Sequence, residues 1–230
     1  MRLSLSQPCF SGTLLIMLMF NLFLWEKVAS VPVYTSFSGY DGMSLSELLD
    51  HAVTESYNIR DLTAEMHRIF LEDVRYTPGR WFPERDLTAC HTSALSVLIP
   101  KNGAQQFWGE FLLKETIGML GAWNNPLHHI TTELSHMENA PNDIISKAKV
   151  IEGKIKELLE ALKSIISKVH PGFSDYRYPT WNGLASLQSS DEDTRFFALY
   201  DLLQCLKKDT HKVLSNVSLL KCQFVYRREC

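Results

Sequence analysis

The sequence predicts an all-α protein, an up-up-down-down bundle of four long helices with two long crossover connections. Three observations lead to this prediction. Four stretches repeat apolar residues at spacings of about three and four, the pattern of a helix with one buried face. The link between the second and third stretches is only a few residues long. The other two links have about 20 to 30 residues, which at about 3.3 Å per residue can cross the length of a helix.

Link lengths determine the predicted topology, because a short link can join only neighbouring helix ends. The second and third helices are therefore antiparallel, whereas each long link returns the chain to the end where the preceding helix began. Helices of about 25 to 35 residues are about 40 to 50 Å long at a rise of 1.5 Å per residue. The alternative is an up-down bundle with oversized loops, and long unstructured links are uncommon in a compact domain.

The first 30 residues predict a secretory signal peptide. A basic start at Arg2 precedes an apolar run from Leu14 to Trp25, and Val28-Ala29-Ser30 offers the small residues that signal peptidase reads. The alternative is a transmembrane anchor, but Asn21 interrupts the run, which is short for a span of about 20 apolar residues. We expect a secreted, extracellular protein without membrane insertion, whose one helical domain comprises residues 31–230.

The first helix is predicted to follow a loose arm, Val31 to Gly42. Ser44 can cap this helix, and Glu47 completes a capping box. The helix is expected to continue to about Glu72. Its apolar face comprises Leu45, Leu48, Leu49, Ala52, Ile59, Leu62, Met66, Ile69 and Phe70.

The second helix is predicted from about Ala104 to Met137. Pro126 should kink it, because proline removes one backbone hydrogen bond and crowds the preceding turn. Its apolar face comprises Leu112, Thr116, Leu120, Trp123, Leu127, Ile130, Leu134 and Met137.

The third and fourth helices have the clearest ends. The third is predicted from about Asn142 to Val169, and His170-Pro171-Gly172 stops it. Asp191 to Asp193 favour the start of the fourth through the helix dipole. The crossovers, Tyr76 to Gly103 and Phe173 to Ser190, show no sustained period. The apolar face of the third helix comprises Ile144, Ala148, Ile151, Ile155, Leu158, Leu162, Ile165 and Val169; that of the fourth comprises Leu199, Leu203, Leu206, Thr210, Val213, Val217 and Leu220.

The cysteines predict two disulfides. Cys9 would leave with the signal peptide, and the remaining four form an even set in an exported chain. Cys205 and Cys222 cannot pair, since they would lie about 25 Å apart along one helix. We prefer Cys90 with Cys205, which closes a long loop, and Cys222 with Cys230, which closes a short one. Pairing of Cys90 with Cys222 remains the competing choice.

Composition and motifs argue against several functions. The chain has 23 Lys and Arg against 26 Asp and Glu, and shows no basic stripe of the kind that binds nucleic acid. It contains no HExxH, no GxSxG and no phosphate-cradling glycine loop, so we expect no enzymatic activity and no cofactor. The adjacent His128 and His129 would point about 100° apart on a helix, so no metal site is expected there.

Several motifs resemble the prolactin and growth hormone family, over nearly the whole mature chain. They are Cys90-His91-Thr92-Ser93, Ala122-Trp123-Asn124-Asn125-Pro126-Leu127, Val169-His170-Pro171, Cys205-Leu206-Lys207-Lys208-Asp209-Thr210-His211-Lys212-Val213 and Leu219-Leu220-Lys221-Cys222. The resemblance implies the long-chain cytokine fold and the preferred disulfide pairing. It also implies a hormone that binds a class I cytokine receptor of the prolactin-receptor type and can engage two receptor copies.

The resemblance further implies two receptor contacts. The second uses the edge of the first helix and a cleft on the third, where Ala161 matches a small residue that is often glycine in the family. The alternative is that Ala161 is only a good helix former on an exposed face. The first contact uses the first and fourth helices, with His51, Tyr57, Lys208, His211 and Lys212.

Three departures from the family pattern point to a divergent member, such as the placental or decidual relatives of prolactin. Val31 to Met43 lacks the extra cysteine pair of prolactin. The positions that match the zinc ligands hold Tyr57, Arg60 and Leu214, so no zinc bridge is expected. Asn216-Val217-Ser218 is an N-glycosylation sequon at a position of the receptor contact, where a glycan would obstruct binding. The alternative is an unmodified chance sequon.

Two functional hypotheses follow from the family resemblance and these departures. One is a secreted hormone that binds a receptor of the prolactin-receptor type. The other is a family member that does not engage that receptor and acts through glycosaminoglycans or another cell-surface receptor. Lys207, Lys208 and Lys212 would then form a basic face for sulfated glycans. An enzyme or a carrier has no motif support.

Overall fold

The computed structural model describes residues 39, 40, 42–73, 82, 89–97, 105–136, 142–173 and 176–226, without the side chains of residues 96, 97 and 105–107. Within these ranges there are six α-helices and no β-strand. A 3-10 helix spans Ser93–Val97 and a π-helical turn spans Cys222–Tyr226. The α-helices are α1 (Leu45–Glu72), α2 (Gln105–Ala122), α3 (Asn124–Ser135), α4 (Asn142–Val169), α5 (Leu184–Leu187) and α6 (Glu192–Lys221). The predicted signal peptide, residues 1–30, lies outside the described residues.

Contacts at both ends of α1 show that it runs antiparallel to α6. Near the start of α1, Asp50 forms an ion pair of 2.5 Å with Lys221 at the end of α6. Near the end of α1, the ring of His67 lies 6.1 Å from that of Tyr200, early in α6. Two such contacts at opposite ends fix both the direction and the register of this helix pair.

The same kind of evidence orients α4 and α2. Lys154 of α4 pairs with Glu55 of α1 at 2.8 Å, and Lys147 pairs with Glu65 at 3.7 Å, so these helices are antiparallel. Asn216, late in α6, contacts Thr116 of α2, whereas Asp209, earlier in α6, contacts Trp123 beyond the end of α2. Since α2 is therefore antiparallel to α6, it is parallel to α1. The up-up-down-down topology is confirmed.

The start of α1 is the predicted capping box. The Ser44 hydroxyl accepts a hydrogen bond from the Glu47 N–H at 3.2 Å, and the Glu47 carboxylate accepts one from the Ser44 N–H at 2.7 Å. These two bonds satisfy N–H groups that have no partner inside the helix. The predicted end at Glu72 is also confirmed.

The second predicted helix is two helices, so the prediction of one kinked helix is wrong. α2 ends at Ala122 and α3 begins at Asn124, with the buried Trp123 between them. Pro126 is the third residue of α3, in the first turn, where a missing N–H removes no helical hydrogen bond. The interruption at Trp123 therefore lies in the turn that precedes Pro126.

The second crossover packs against the bundle at a glycine. Tyr178 lies over Gly121 of α2 so closely that a Cβ built on Gly121 would fall 2.1 Å from the tyrosine ring. The same crossover contains the short helix α5, and the first contains the 3-10 helix. Helices of four or five residues are too short to show a period, which is why the sequence pattern did not reveal them.

The predicted apolar faces form the core. All seven positions of the fourth predicted face are buried in α6, and α4 buries its whole predicted face except the half-buried Val169. In α1, Leu45, Leu62 and Ile69 are half-buried and the other six positions are buried. No helix in the described part of the chain combines the length and apolarity that a membrane span requires.

His67 is a buried polar residue where α1 meets α6. It is 4% exposed, and its Nε2 has no hydrogen-bond partner among the described residues. Burial, and then the positive charge of Lys207, lower the pKa of His67 to about 4. The folded protein therefore holds this imidazole neutral at physiological pH.

We predict that His67 makes the protein less stable as the pH falls from about 6.5 to about 4. In the unfolded chain the imidazole takes up a proton near its ordinary pKa of 6.5, whereas in the folded chain it does so only near 4. The unfolded state binds more protons in this window, so the free energy of unfolding decreases by at most about 1.4 kcal/mol per pH unit. His67→Phe should remove this part of the pH dependence, measured by urea unfolding near pH 7 and near pH 5.

The matched control is His128→Phe, which changes an exposed histidine of α3. It should leave the pH dependence as it is in the unsubstituted protein. An unchanged pH dependence in the His67→Phe protein would contradict the assignment.

Candidate functional site

A buried carboxylate connects α6 to the first crossover and to the corner between α2 and α3. Asp209 is 5% exposed, and its Oδ2 accepts hydrogen bonds from the Thr92 hydroxyl at 2.7 Å and from the Trp123 indole N–H at 2.8 Å. The ring of His91 packs edge-on against Trp123, with centroids 4.9 Å apart. One side chain of α6 thus positions two other parts of the chain.

A disulfide ties the same crossover to the same helix. Cys90 and Cys205 are bonded, as predicted, across a sequence separation of 115 residues. Because Cys205 lies four residues before Asp209 on α6, the covalent and polar ties are one helical turn apart. The competing pairing of Cys90 with Cys222 is excluded. Cys222 is disulfide-bonded, but its predicted partner Cys230 lies outside the described residues, so that pairing stays a prediction.

Burying the charged carboxylate of Asp209 costs free energy, and the two hydrogen-bond donors offset that cost. Burial raises the pKa of Asp209 above its ordinary value of 3.8, whereas the hydrogen bonds from Thr92 and Trp123 and the charges of His91 and Lys212 act in the opposite direction. A buried carboxylate without donors would be far less stable. The Asp209 cluster therefore has a structural role, since it fixes α6 relative to the first crossover and to the corner between α2 and α3.

We predict that Asp209→Ala destabilises the fold by about 3 kcal/mol or more, because it leaves the Thr92 hydroxyl and the Trp123 N–H buried without an acceptor, at about 1–3 kcal/mol each. Asp209→Asn keeps an oxygen acceptor and should cost less. Urea unfolding at neutral pH measures both changes. Asp61→Ala, at an exposed aspartate of α1, is the control and should stay within about 0.5 kcal/mol. Equal losses for Asp209→Ala and Asp61→Ala would refute the role of Asp209.

Three of the five residues predicted for the first contact lie exposed at α1 and α6. Tyr57 is 46% exposed, and the Arg60 guanidinium lies 4.9 Å from its ring centroid. Tyr57 is seven residues after Asp50, so it shares the side of α1 that pairs with Lys221 of α6. Lys208 and His211 are exposed on α6. We call Tyr57, Lys208 and His211 the α1–α6 surface.

The other two residues face different neighbours, and their part in the first contact stays a prediction. Lys212 is half-buried and forms an ion pair of 2.5 Å with Glu115 of α2, which is itself buried. His51 lies on the α4 side of α1, since Glu55, one turn further on, pairs with Lys154. The cause is helical geometry, because residues 51 and 57 are six positions apart and point in directions about 120° apart.

The predicted cleft at Ala161 is not open in this structure. Ala161 is 0% exposed. It lies seven residues after Lys154, on the side of α4 that faces α1. The structure therefore shows neither an open cleft nor an exposed face at Ala161, and the part of this residue in a receptor contact stays a prediction.

The burial of Asn216 argues against its predicted glycosylation, which stays a prediction. Asn216 is 5% exposed, and its Nδ2 donates a hydrogen bond to the Thr116 hydroxyl of α2 at 3.1 Å. A glycan is bulky and hydrated and would be attached at this nitrogen. A glycan there would force α2 and α6 apart, so we expect Asn216 to be unmodified and the first contact to be free of a glycan.

We predict that the protein secreted from mammalian cells carries no glycan at Asn216. Peptide mass spectrometry should find this asparagine unmodified, and glycosidase treatment should not change the intact mass. The control is Gln188→Asn, which creates a sequon with Ser190 at an exposed position after α5. This variant should gain a glycan. A glycopeptide containing Asn216, recovered from folded protein, would show the burial argument to be wrong.

The positions that match the zinc ligands of the family provide no such set. Tyr57 is exposed, Arg60 pairs with Asp61 at 2.6 Å, and Leu214 is buried. Over the described ranges, no three His, Cys, Asp or Glu side chains form a group that could hold a metal ion.

Sequence reasoning missed Tyr40, in the segment interpreted as a loose arm. The Tyr40 carbonyl accepts a hydrogen bond from the Met43 N–H at 3.2 Å, which forms a turn just before α1. Its hydroxyl lies 3.3 Å from Nε2 of His51, and the two rings are 5.5 Å apart. A single aromatic residue between Gly39 and Gly42 has no period, so the pattern gave no sign of this contact.

Comparison with known proteins gives matches over nearly the whole chain. Residues 17–230 match the model of the somatotropin hormone family. The chain is 58% identical to prolactin-6A1 of Mus musculus over 229 residues. The aligned region covers 99% of this chain and 100% of that relative. It is 53% identical over 229 residues to prolactin-6A1 of Rattus norvegicus, with 99% and 98% covered. The similarity therefore extends through all six helices described above.

Proposed function

This chain belongs to the somatotropin hormone family and is a prolactin-like hormone, and we propose that it is secreted and acts by binding a class I cytokine receptor of the prolactin-receptor type. Residues 1–30 are the export signal in this proposal, and residues 31–230 are the mature hormone. The action is binding and involves no catalysis. Hormones of the family bind class I cytokine receptors, which supports the choice of receptor class.

The α1–α6 surface is the observation that carries this proposal. Tyr57 is a large aromatic side chain that stays 46% exposed although α1 has a well-packed core face. Tyrosines of this kind are enriched among the residues that dominate binding energy, because they bury much apolar area and carry a hydroxyl. Lys208 and His211 extend the surface with polar groups, which favour a specific orientation of the partner.

The rigidity of this surface also supports binding. Lys208 and His211 flank Asp209 and Thr210, which are buried. The helix beneath them is tied to the first crossover by the Cys90–Cys205 disulfide. A surface that is already ordered loses less conformational entropy when a partner binds.

The second candidate function, binding of sulfated glycans, has weaker support. Of the three lysines predicted to form its basic face, only Lys208 is exposed. Lys212 is paired with Glu115, and Lys207 is half-buried close to His67. The formal net charge of −3 also disfavours a long polyanion as the main partner.

We predict that Tyr57→Ala weakens binding to the immobilised prolactin-receptor ectodomain by about tenfold or more, since loss of an interface anchor costs about 1.4 kcal/mol or more. Lys208→Ala should mainly slow association and reduce its salt dependence. Surface plasmon resonance measures both rates. Circular dichroism and urea unfolding check that each variant remains folded.

Val150→Ala is the matched control, since Val150 is 48% exposed and lies on α4. It should not change the affinity. Absence of binding by the unsubstituted protein would reject this receptor class. Equal binding by the Tyr57→Ala and Val150→Ala proteins would reject the α1–α6 surface as the contact.

A further inference from the structure

A cleft opens where both crossovers meet α6. Its volume is about 460 Å³, which falls within the range of about 300–1,000 Å³ in which proteins bind small molecules. Three parts of the chain line it: residues 89–91 of the first crossover, residues 180–183 and Ser186 of the second, and six residues of α6. Because these parts are distant in sequence, only the folded chain brings them together.

The floor of the cleft is one side of α6. Its residues recur at spacings of three and four over about three helical turns, so they share a side of the helix. Asp201 follows Phe197 by one turn and precedes Cys205 by one turn, so along this side a carboxylate lies between an aromatic ring and the Cys90–Cys205 disulfide. The floor comprises Thr194, Phe197, Ala198, Asp201, Leu202 and Cys205.

The second crossover contributes an indole ring to one wall of the cleft. Trp181 is half-buried and packs against the hydrophobic core, and its ring centroid lies 5.8 Å from that of His129 of α3. Its Nε1 lies so close to Gly183 that a Cβ built on that glycine would fall 2.5 Å away. Phe197 is also half-buried against the core. Aromatic rings that are already ordered lose little conformational entropy when a flat molecule packs on them.

The charge of the cleft favours a cation. Burial lowers the pKa of His91 from its ordinary value of 6.5, so this imidazole is neutral at physiological pH. Among the described residues that line the cleft, Asp201 therefore carries the only formal charge. A carboxylate accepts several hydrogen bonds, so Asp201 can bind an ammonium group in addition to its contacts within the protein. The face of an indole ring such as that of Trp181 also attracts cations.

We propose that this cleft binds a small organic cation with a flat aromatic body, in which the ammonium group pairs with Asp201 and the body packs on Trp181 and Phe197. The hydroxyl of Thr180 and the amide of Asn182 line the same cleft and offer further hydrogen bonds to the ligand. The proposal goes beyond the proposed function and does not rest on it, because the ligand binds without a receptor.

The first experiment compares three indole probes that differ in charge. Tryptamine carries an ammonium group, indole carries no charge, and indoleacetate carries a carboxylate. NMR titration of the isotope-labelled protein follows the backbone amide signals. We expect tryptamine to shift the signals of residues 89–91, 180–186 and 194–205, and to bind about fivefold or more tightly than indole. Indoleacetate should bind least, because Asp201 repels its carboxylate.

Three results of the probe comparison would overturn the proposal. Equal affinities for tryptamine and indoleacetate would reject a cation as the ligand. Signal changes confined to other parts of the chain, such as α4, would reject the cleft as the site. No binding of tryptamine at millimolar concentration would reject the site as a whole. The comparison uses the unsubstituted protein, so it decides the proposal even if a variant unfolds.

The second experiment tests the two assigned contacts. Asp201→Asn keeps the size of the side chain but removes its charge, so it should weaken tryptamine binding about fivefold and leave indole binding unchanged. Trp181→Ala removes the aromatic wall and should weaken the binding of both probes. The matched controls are Asp143→Asn, at an exposed aspartate of α4, and Trp108→Ala, at an exposed tryptophan of α2.

Neither control variant should change the affinity for either probe. Circular dichroism checks that every variant remains folded. If Asp201→Asn binds tryptamine as tightly as Asp143→Asn does, the carboxylate is not the partner of the ammonium group. If Trp181→Ala binds both probes as tightly as Trp108→Ala does, the indole ring is not the wall on which the ligand packs. Either result would refute the proposed mode of binding.

Discussion

The Asp209 carboxylate joins parts of the chain that are far apart in sequence. Its partners Thr92 and Trp123 lie 117 and 86 residues away. A buried charge is tolerated only when donors surround it, so the first crossover and the α2–α3 corner must both reach this point of α6. Cys205, one turn earlier, adds a covalent tie to the same crossover. The direction of α2 and the position of the crossover both depend on this cluster.

The cluster also determines which residues of α6 are available to a partner. Asp209, Lys212 and Asn216 recur at spacings of three and four, and each binds a residue of α2 or of the adjoining corner. The side of α6 that these three residues occupy is therefore covered by α2 and the adjoining corner, and a partner cannot reach it. Lys208 and His211, interleaved with them in sequence, point outward because helical geometry rotates successive residues. The same polar contacts that fix the fold therefore define the edge of the functional surface.

Helix α1 presents two separate edges to possible partners. One edge carries Tyr57 and adjoins α6, and the other carries His51 and adjoins α4. On the first edge the side chain of Tyr57 is exposed, whereas on the second the Tyr40 hydroxyl lies 3.3 Å from Nε2 of His51. The two edges of one helix thus differ, because one carries an exposed aromatic side chain and the other contacts the segment before α1.

The sequence by itself determined the four long helical segments, their order and their directions, because apolar period, capping residues and link length act locally or through chain connectivity alone. Ser44 and Glu47 define a helix start wherever the helix later packs. Helix geometry excluded a bond between Cys205 and Cys222, and the family resemblance then implied the pairing of Cys90 with Cys205 that the structure shows. The tertiary structure alone decided the break at Trp123, the burial of Asn216 and Ala161, and the directions of His51 and Lys212. Each of these depends on which helix lies opposite a given side chain, and contacts between residues about 100 positions apart leave no period in the sequence.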